Sequence, residues 1–498
     1  MPKIISYCRR HLYPLLLLIA SSAVYLSFYG QPSSLFWDEN YHIASAQKYI
    51  DGTLYMEPHP PLGKLLMAAS EALLGTNSDS DKTSFNNTDY ITGDDTPEAM
   101  SYYGFRLPST LLMALSVLFF FGIIKRITGN AHIAAAFTCL MIFDNALVIH
   151  SRAAMLEGIQ LFFILAAIFY AVRIITNAAI QGIALYHYAL LGVLIGLAVS
   201  VKVNALVLLL LFVMVYGVDQ WQAIKQWQFT VLIKRLMITV PCGVLPLIAI
   251  FCAVFYVHIG LGSSIATHST YKASPAYLQH VRQDNTWSPA AFAVGLKDNW
   301  RYMSEYSDGV PRLDICKPGE NGSSAIGWPL GTKTINYRWS KDTVDGITRV
   351  RYHNLLPNPV VWFSVFIGII LSLGLILSRF VYGHPVKDQP LFYWICGFTT
   401  LYGSYMIAIL HIERVMYLYH YLVPLLFGMI NLALISTYIF KTEILAKSRH
   451  FYTNLFIYIL LVFAVFIIFA PFSYSWELTE AGFNARNWFG YWRLELVR

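Results

Sequence analysis

Charge is scarce in this chain. Only 13% of its 498 residues are Asp, Glu, Lys or Arg, against 56% hydrophobic, and the mean hydropathy is +0.52. Soluble globular domains carry about 25% charged residues. The shortage therefore excludes a soluble enzyme and implies an all-α polytopic membrane protein. Cysteine is sparse as well: Cys8, Cys139, Cys242, Cys252 and Cys396 lie in or beside apolar segments, and Cys316 alone falls in a long polar loop. No disulfide framework follows from that distribution. There is no dense basic stripe either. The net charge of +7 comes from short Lys/Arg clusters between apolar segments, the pattern of cytoplasmic loops and not of a nucleic-acid surface. Heptads, short-period repeats and low-complexity tracts are missing, as is the HExxH spacing of a zinc hydrolase.

What is present in quantity is the apolar run. A helix crosses the hydrocarbon in ~20 residues, and eleven such stretches are read here: 12–29, 107–124, 131–149, 158–172, two short spans on either side of Lys202 within 187–218, 236–257, 360–377, 391–410, 421–440 and 451–470. The first resembles a signal peptide without a convincing cleavage site, so it is read as an uncleaved span with its N-terminus in the cytoplasm. Lys125, Arg126, Arg173, Arg379 and Lys441 then fall inside. Around Lys202 a hairpin of two spans is preferred to one kinked helix. Residues 258–356 are too long for a tight connection and imply a folded outer element. The aromatic tail from residue 472 is expected along the outer interface, with the C-terminus outside. The chain divides accordingly into an N-terminal module (1–257, with a first outer loop at 30–106), the outer element (258–356) and a C-terminal module (357–498).

The polar residues gather in one stretch, WDENYHIASAQKYIDGTLYMEPHPPLGK at 37–64, directly after the first span. Asp38, Glu39, Glu57, His59, Lys64, Arg106, Arg152, Glu157, Lys202, Arg414 and His420 all fall at outer span ends or in outer loops under this topology. Ionisable groups at membrane depth are costly, so a ring of them on one face points to a functional site. Asp38 before a helix starting at Glu39 also fits an N-cap, although a cap accounts for neither the adjacent acid nor Trp37. His59-Pro60-Pro61 reads as a rigid helix entry. Arg152, Lys202 and Arg414 equally fit cations that snorkel from helix ends.

This stretch resembles the first outer loop of the protein O-mannosyltransferases that use polyprenyl (dolichyl) phosphate-linked mannose. That family carries an Asp-Glu pair, then an acid two residues before His-Pro-Pro-Leu-Gly-Lys. FRLPS, FDNALVIHSRAAMLEG, LGVLIGLAVSVKVNAL, NPVVWF and RVMYLYHYLVP continue the likeness over nearly the whole chain. The resemblance implies a glycosyltransferase-C fold, Asp38 as the catalytic acid, Glu39 as its neighbour and Arg106 against the donor phosphate. Glu57 and Glu157 stand where Asp is common in the family. The 258–356 region is too short for the β-trefoil of eukaryotic members, which implies a bacterial-type member in an inner (plasma) membrane.

The chemistry follows from the groups themselves. A lipid-phosphate leaving group is already anionic and needs neutralisation more than a proton, for which arginine's fork is suited. A hydroxyl acceptor is a weak nucleophile, and a carboxylate assists it as general base. The expected reaction is one in-line displacement with inversion, with Asp38 as base and Arg106 as phosphate clamp. Glu57, His59, Lys64, Arg152, Lys202, Arg414 and His420 are placed around donor and acceptor. No cofactor is required by this scheme, and a divalent metal is neither required nor ruled out. The partners are a polyprenyl-phosphate sugar, a polypeptide or glycolipid acceptor and the bilayer, with no nucleic acid. A transferase acting on a glycolipid or cell-envelope glycan shares this donor logic. A transporter or flippase would bury acids midway along spans and repeat its halves inverted, and neither feature is seen. A non-catalytic scaffold of the same fold is a further reading, prompted by Glu57 and Glu157.

Overall fold

The computed structural model describes residues 2–266, 270, 272–344 and 347–496. Helices carry most of the chain: α1 (Pro2–Leu26), α2 (Glu39–Ile50), α3 (Leu62–Leu74), α4 (Tyr103–Thr128), α5 (Ala131–Ile142), α6 (Asn145–Ser151), α7 (Leu156–Gln181), α8 (Leu185–Val199), α9 (Leu209–Asp219), α10 (Trp221–Lys225) and α11 (Phe229–Leu261). There follow α12 (Pro275–Arg282), α13 (Pro289–Gly309), strands β1 (Ile335–Val344) and β2 (Ile347–Leu355), α14 (Pro359–Phe380), α15 (Gln389–Leu410), α16 (Leu422–Ile439), α17 (Lys441–Leu445), α18 (Arg449–Tyr474), β3 (Glu477–Thr479) and α19 (Glu480–Asn484). Among the described residues α4, α7, α11, α14, α15, α16 and α18 are long and apolar enough to cross a membrane, seven in all, or eight if α5 and α6 count as one span bent by 61°. The three other expected crossings fall on shorter apolar stretches in α1, α8 and α9. Length and composition thus do not establish eleven.

The chain forms two compact units. The first comprises Phe28–Met113 and Ser151–Pro311. Its path is fixed by polar contacts at helix ends. After α8, Lys202 donates to Glu157 in the first turn of α7 (2.5 Å), and Leu62 N donates to Ser200 O (3.0 Å). At the far ends, Asp219 closing α9 accepts from Arg235 (2.8 Å) and Tyr188 (3.2 Å), while Arg235 also donates to Ile183 O (2.9 Å). Helices α7, α8, α9 and α11 therefore run alternately in opposite directions, and SVKVN turns a hairpin at Lys202. α11 ends beside the loop after α2, where Leu54 N donates to Ser264 O (2.7 Å). Small residues let α8 and α11 approach closely, since a Cβ on Gly192 would collide with the carbonyl oxygen of Gly243. The expected outer element contributes α12 and α13 to this unit.

The second unit comprises Met1–Ser27, Ala114–His150 and Arg312–Arg498. The apolar run read as one span over 131–149 is broken here, and Asp144 explains the break. Its Oδ1 accepts from Leu147 N (2.9 Å), capping α6. Its Oδ2 accepts from Trp362 Nε1 (2.8 Å) and Asn358 N (3.3 Å). Asn358 Nδ2 in turn donates to Phe143 O (2.9 Å) and Val462 O (3.0 Å). The carbonyl that the interrupted helix leaves without an intrahelical partner is thus satisfied inside the protein, as an apolar surrounding demands.

The described tail residues are organised beyond what composition indicates: β3 joins an antiparallel sheet of order β1-β2-β3, and Phe483 and Trp492 are buried with Val350, Tyr352 and Phe472, while Trp476 and Trp488 stay exposed. Arg349 and Arg351 of β2 both pair with Glu477 of β3, which fixes the register that aromatic composition alone does not reveal. Its last two residues lie outside the described residues. Pairing β2 with β3 also requires an even number of crossings between them, which α14, α15, α16 and α18 supply.

The α8–α11 approach yields a test. Gly192→Ala overpacks a helix crossing and is expected to destabilise by about 1–3 kcal/mol. Gly217→Ala, where a Cβ meets nothing within 4 Å, is expected to be neutral or to stabilise by up to ~1 kcal/mol. Thermal unfolding of the purified variants in detergent checks the contrast.

Candidate active site

The loop before α2 is held by one residue of α4. Arg106 is fully buried, and all five of its N–H groups have acceptors. Nε donates to Glu39 Oε1 (2.7 Å) and Nη2 to Glu39 Oε2 (2.8 Å). Nη1 donates to Gly30 O and Pro32 O (both 2.9 Å), and Nη2 also to Ser34 O (3.0 Å). Its guanidinium carbon lies 5.1 Å from the Phe36 ring centroid and 4.6 Å from that of Tyr102. Arg106 therefore has no donor left for a phosphate. This corrects the expected clamp: the fork is saturated by the chain's own backbone and by Glu39. It ties down residues 30–39 in a buried bidentate pair.

Glu39, equally buried, is held from a third side, since Ala154 N donates to its Oε1 (2.8 Å). One helical turn on, His42 Nδ1 donates to Ala154 O (2.9 Å). A single residue before α7, Ala154, is thus gripped at both its N–H and its carbonyl by positions i and i+3 of α2. The Ala154 contacts were not read from the sequence; the signal for them is the i, i+3 spacing of Glu39 and His42. Burial, reinforced by the Lys64 charge, pushes the His42 imidazole down to about 3, so it is neutral at pH 7 with Nδ1 carrying the proton.

Asp38 lies between the pinned loop and α2. Trp37 before it has φ +51°, a left-handed conformation uncommon for a bulky side chain. The Asp38 carbonyl accepts from Tyr41 N (3.1 Å) and His42 N (3.0 Å), but its carboxylate makes no capping bond. It is half-buried, whereas Glu39 beside it is fully enclosed. The cap reading of this side chain therefore fails.

The Glu57–Lys64 stretch forms a second anchored turn. Glu57 accepts from Lys64 Nζ and from Ser45 Oγ of α2, and both Glu57 and Lys64 are buried. The Glu57 side chain reaches across the turn to its partner. Burial pushes the Lys64 ammonium down and Glu57 opposes this; the charges of Lys202 and Asp38 are also felt there. His59 is half-buried; burial first, then Lys202 and Lys64, hold it well below its ordinary range. Pro61 is the residue before α3, and Gly63 packs so closely on Leu156 that a Cβ there would meet its side chain at 2.5 Å.

Glu157 accepts from Lys202 and lies in the first turn of α7, where the helix dipole favours a carboxylate. Arg152 is buried in the connection before α7. Asp38, Glu57, His59, Lys64, Glu157 and Lys202 thus form one electrostatic cluster in the first unit, with Arg152 in the same connection. Arg414 and His420 belong to the other unit. The Arg414 backbone bridges to Arg312. The His420 ring bonds to Tyr417 O through Nδ1 (3.0 Å) and stacks on Tyr419 at 4.4 Å. His150, which the sequence reading did not single out, bonds to Tyr337 Oη (2.7 Å) and stacks on Tyr419 at 4.9 Å in that unit. Among the described residues no three His, Cys, Asp or Glu side chains gather as a metal site.

The Arg106 geometry separates two roles experimentally. Arg106→Gln leaves Glu39 buried without its counter-ion and is expected to cost about 3–5 kcal/mol, read as a lower unfolding midpoint. A variant with wild-type stability but weakened donor binding would instead restore Arg106 as a phosphate ligand.

Comparison with known proteins agrees with this architecture. The family model described as dolichyl-phosphate-mannose-protein mannosyltransferase matches residues 15–261. A second model, the C-terminal four-transmembrane region of protein O-mannosyltransferase, matches residues 312–492. Dolichyl-phosphate-mannose–protein mannosyltransferase 5 of Candida albicans is 30% identical over 232 residues, 46% of this chain and 30% of that protein. Protein O-mannosyl-transferase 2 of Drosophila melanogaster is 24% identical over 237 residues, 46% of this chain and 30% of that protein. The matched stretches thus span under a third of these relatives. A structure of the Saccharomyces cerevisiae protein O-mannosyltransferase Pmt1-Pmt2 complex bound to the sugar donor superposes with a TM-score of 0.82 at 16% identity, over 97% of this chain and 92% of that one. The fold is therefore that of a polytopic glycosyltransferase-C type membrane protein, as the resemblance implied. With the two family models covering both halves and the Asp38-Glu39 and Glu57-to-Lys64 elements in place, the chain belongs to the dolichyl-phosphate-mannose–protein mannosyltransferase family.

Proposed function

We propose that this protein transfers a mannosyl residue from a polyprenyl-phosphate carrier to Ser or Thr hydroxyls of polypeptides, at the non-cytoplasmic face of the membrane. The observation that carries the reading is Asp38. It is a half-buried carboxylate, beside an acid wholly engaged in an ion pair and within the field of Lys64. That division of labour suits a general base, which must be held in place and still reach an incoming hydroxyl.

In this mechanism the acceptor hydroxyl gives its proton to an Asp38 oxygen as its own oxygen bonds to the anomeric carbon. The bond from that carbon to the phosphate oxygen breaks, and the electron pair leaves with the lipid phosphate. One displacement inverts the anomeric centre. The growing negative charge on the phosphate needs cations, and because Arg106 is saturated the role passes to Lys202 and Arg152, with Lys64 contributing to the positive field. His42 and His59, kept neutral, add no competing charge. Glu57 holds Lys64 and the His59 turn in place, and Glu157 does the same for Lys202.

The Lys125–Arg126 pair in the last turn of α4 supports a cytoplasmic N-terminus under the positive-inside rule. With the expected alternation of spans this leaves the Asp38 loop and the C-terminus outside, and an inner membrane of bacterial type fits the short connection between α11 and α14. Asp38→Asn is expected to lower kcat by about 10²–10⁴ while leaving donor affinity unchanged, measured with polyprenyl-phosphate mannose and a Thr-containing peptide. An Asp38→Asn enzyme of normal turnover would overturn the base assignment. Product with a glycolipid but not with any peptide would overturn the polypeptide acceptor.

A further inference from the structure

Helix α2 is closed off along nearly its whole length. From Glu39 to Tyr49 every residue is buried except Tyr41, which is 43% exposed. Tyr41 follows Asp38 by three residues and its N–H donates to the Asp38 carbonyl (3.1 Å). Because Asp38 already has helical dihedrals, the two side chains stand side by side, with Cβ atoms about 5–6 Å apart. Glu39 and His42 face Ala154, and at about 100° per residue Tyr41 lies roughly 200° round the helix from Glu39. A second exposed ring meets it. Tyr90, 47% exposed, packs edge-to-face on Tyr41 with centroids 4.9 Å apart, and its chain neighbours are anchored on both sides. Ile91 N donates to Asn40 O (3.2 Å), and Asn40 Nδ2 donates to Ile91 O. Asp89 accepts from Lys48 of α2 (2.8 Å) and from Lys272, and both lysines are buried. Lys272 Nζ also lies 4.9 Å from the centroid of the Tyr302 ring on α13. One turn further along α13 stands Tyr306, exposed, with its ring centroid 6.2 Å from that of Tyr302. Burial raises the Tyr41 phenol above its ordinary range, and Tyr306 and Asp38 raise it further, which places both within electrostatic reach of it. All these residues belong to the first unit.

A single exposed tyrosine calls for no explanation. Here two are in ring contact, beside a half-buried carboxylate, and the loop that carries one of them is fixed by two buried lysines on one acid. We infer that Tyr41 and Tyr90, with Tyr306 beside them, form the platform on which the acceptor polypeptide lies while its hydroxyl is presented to Asp38. This inference rests on the protein-acceptor reading above and deepens it. The occupant follows from the chemistry at Asp38. The cations assigned to the donor phosphate, Lys64, Lys202 and Arg152, are buried, whereas the rings offer exposed surface next to the base. A hydroxyl that reaches Asp38 on a polypeptide brings flanking residues with it, and these need a surface to rest on. Tyrosine supplies large, rigid contact area at low conformational-entropy cost, and rings already fixed through their neighbours lose little more freedom on binding. Contact through ring faces also needs no fixed side-chain sequence, which suits an acceptor defined by its hydroxyl. The spacing from Asp38 to Tyr41 corresponds to about two residues of extended chain, so the flanking contact falls about that far from the modified residue.

The test uses the full-length protein in lipid nanodiscs, polyprenyl-phosphate mannose and a twelve-residue Thr-centred peptide. Tyr41→Ala and Tyr90→Ala are each expected to raise the peptide KM about three- to tenfold, with the donor KM unchanged and kcat at saturating peptide close to wild type. Tyr41→Phe and Tyr90→Phe keep the ring and are expected to restore the peptide KM. A benzophenone side chain placed two residues from the Thr is expected to crosslink to the segment holding Tyr41 or Tyr90 in the wild-type protein, a readout that stands even where an alanine variant fails to fold. A wild-type peptide KM in both folded alanine variants, together with no crosslink to either segment, would overturn the platform and leave the protein-acceptor reading intact. A raised donor KM with an unchanged peptide KM would assign the rings to the lipid-linked sugar and overturn the proposal. Crosslinking of these segments to a photoreactive phospholipid in place of the peptide would make them interfacial anchors and overturn it equally. Failure of the wild type to modify any peptide would overturn the protein-acceptor reading itself, and the platform with it.

Discussion

The buried ion pair between Glu39 and Arg106 is the constraint on which the loop carrying Asp38 depends. Removing two charges from water costs several kcal/mol per ion, and their attraction offsets this only when every donor and lone pair finds a partner. The condition is met by folding residues 30–36 around the guanidinium, so that carbonyls of Gly30, Pro32 and Ser34 complete its shell and two aromatic rings lie close to it. The ion pair and the loop conformation require one another. Asp38, next in sequence to a carboxylate held at three points, inherits a fixed position without being enclosed.

The same economy recurs around the site. Each buried acid carries a specific cation or backbone donor: Glu57 with Lys64, Glu157 with Lys202, Glu39 with Arg106 and Ala154 N. Glu39–Arg106 ties α2 to α4 and Glu157–Lys202 ties α7 to the turn after α8, whereas Glu57–Lys64 closes the turn that leads into α3. Glu157–Lys202 fixes where α7 begins and α8 ends, and Ala154 fixes the approach of the connecting segment to α2. A low-charge chain uses its few ionisable groups both as structural ties and as the site's electrostatics, which explains why they cluster.

Much of this was legible in the sequence. The scarcity of charge gave the membrane class, SVKVN gave the turn at Lys202, and the Asp38-Glu39 and Glu57-to-Lys64 stretches gave the polar cluster. What could not be read was how each charge is used. Arg106 and Lys202 look alike as cations at helix ends, and only the full acceptor list around Arg106 shows that it is consumed by the fold. The break at Asp144 is hidden because the apolar run continues across it, and the donors that stabilise it come from Asn358 and Trp362, more than two hundred residues away. The aromatic content of the tail points to an interface and says nothing of the strand that joins the sheet. Its sheet register depends on Arg349, Arg351 and Glu477, a long-range pairing that local composition does not encode.

The central claim is that a single positioned carboxylate, Asp38, acts as base in one displacement. The stereochemical course of transfer tests it most directly, because a carboxylate acting as nucleophile would form a glycosyl-enzyme and retain configuration through two inversions. NMR of the glycopeptide formed from a donor of defined anomeric configuration reads the outcome. The account predicts a product of the opposite configuration throughout the time course. A product that keeps the donor's configuration would contradict it.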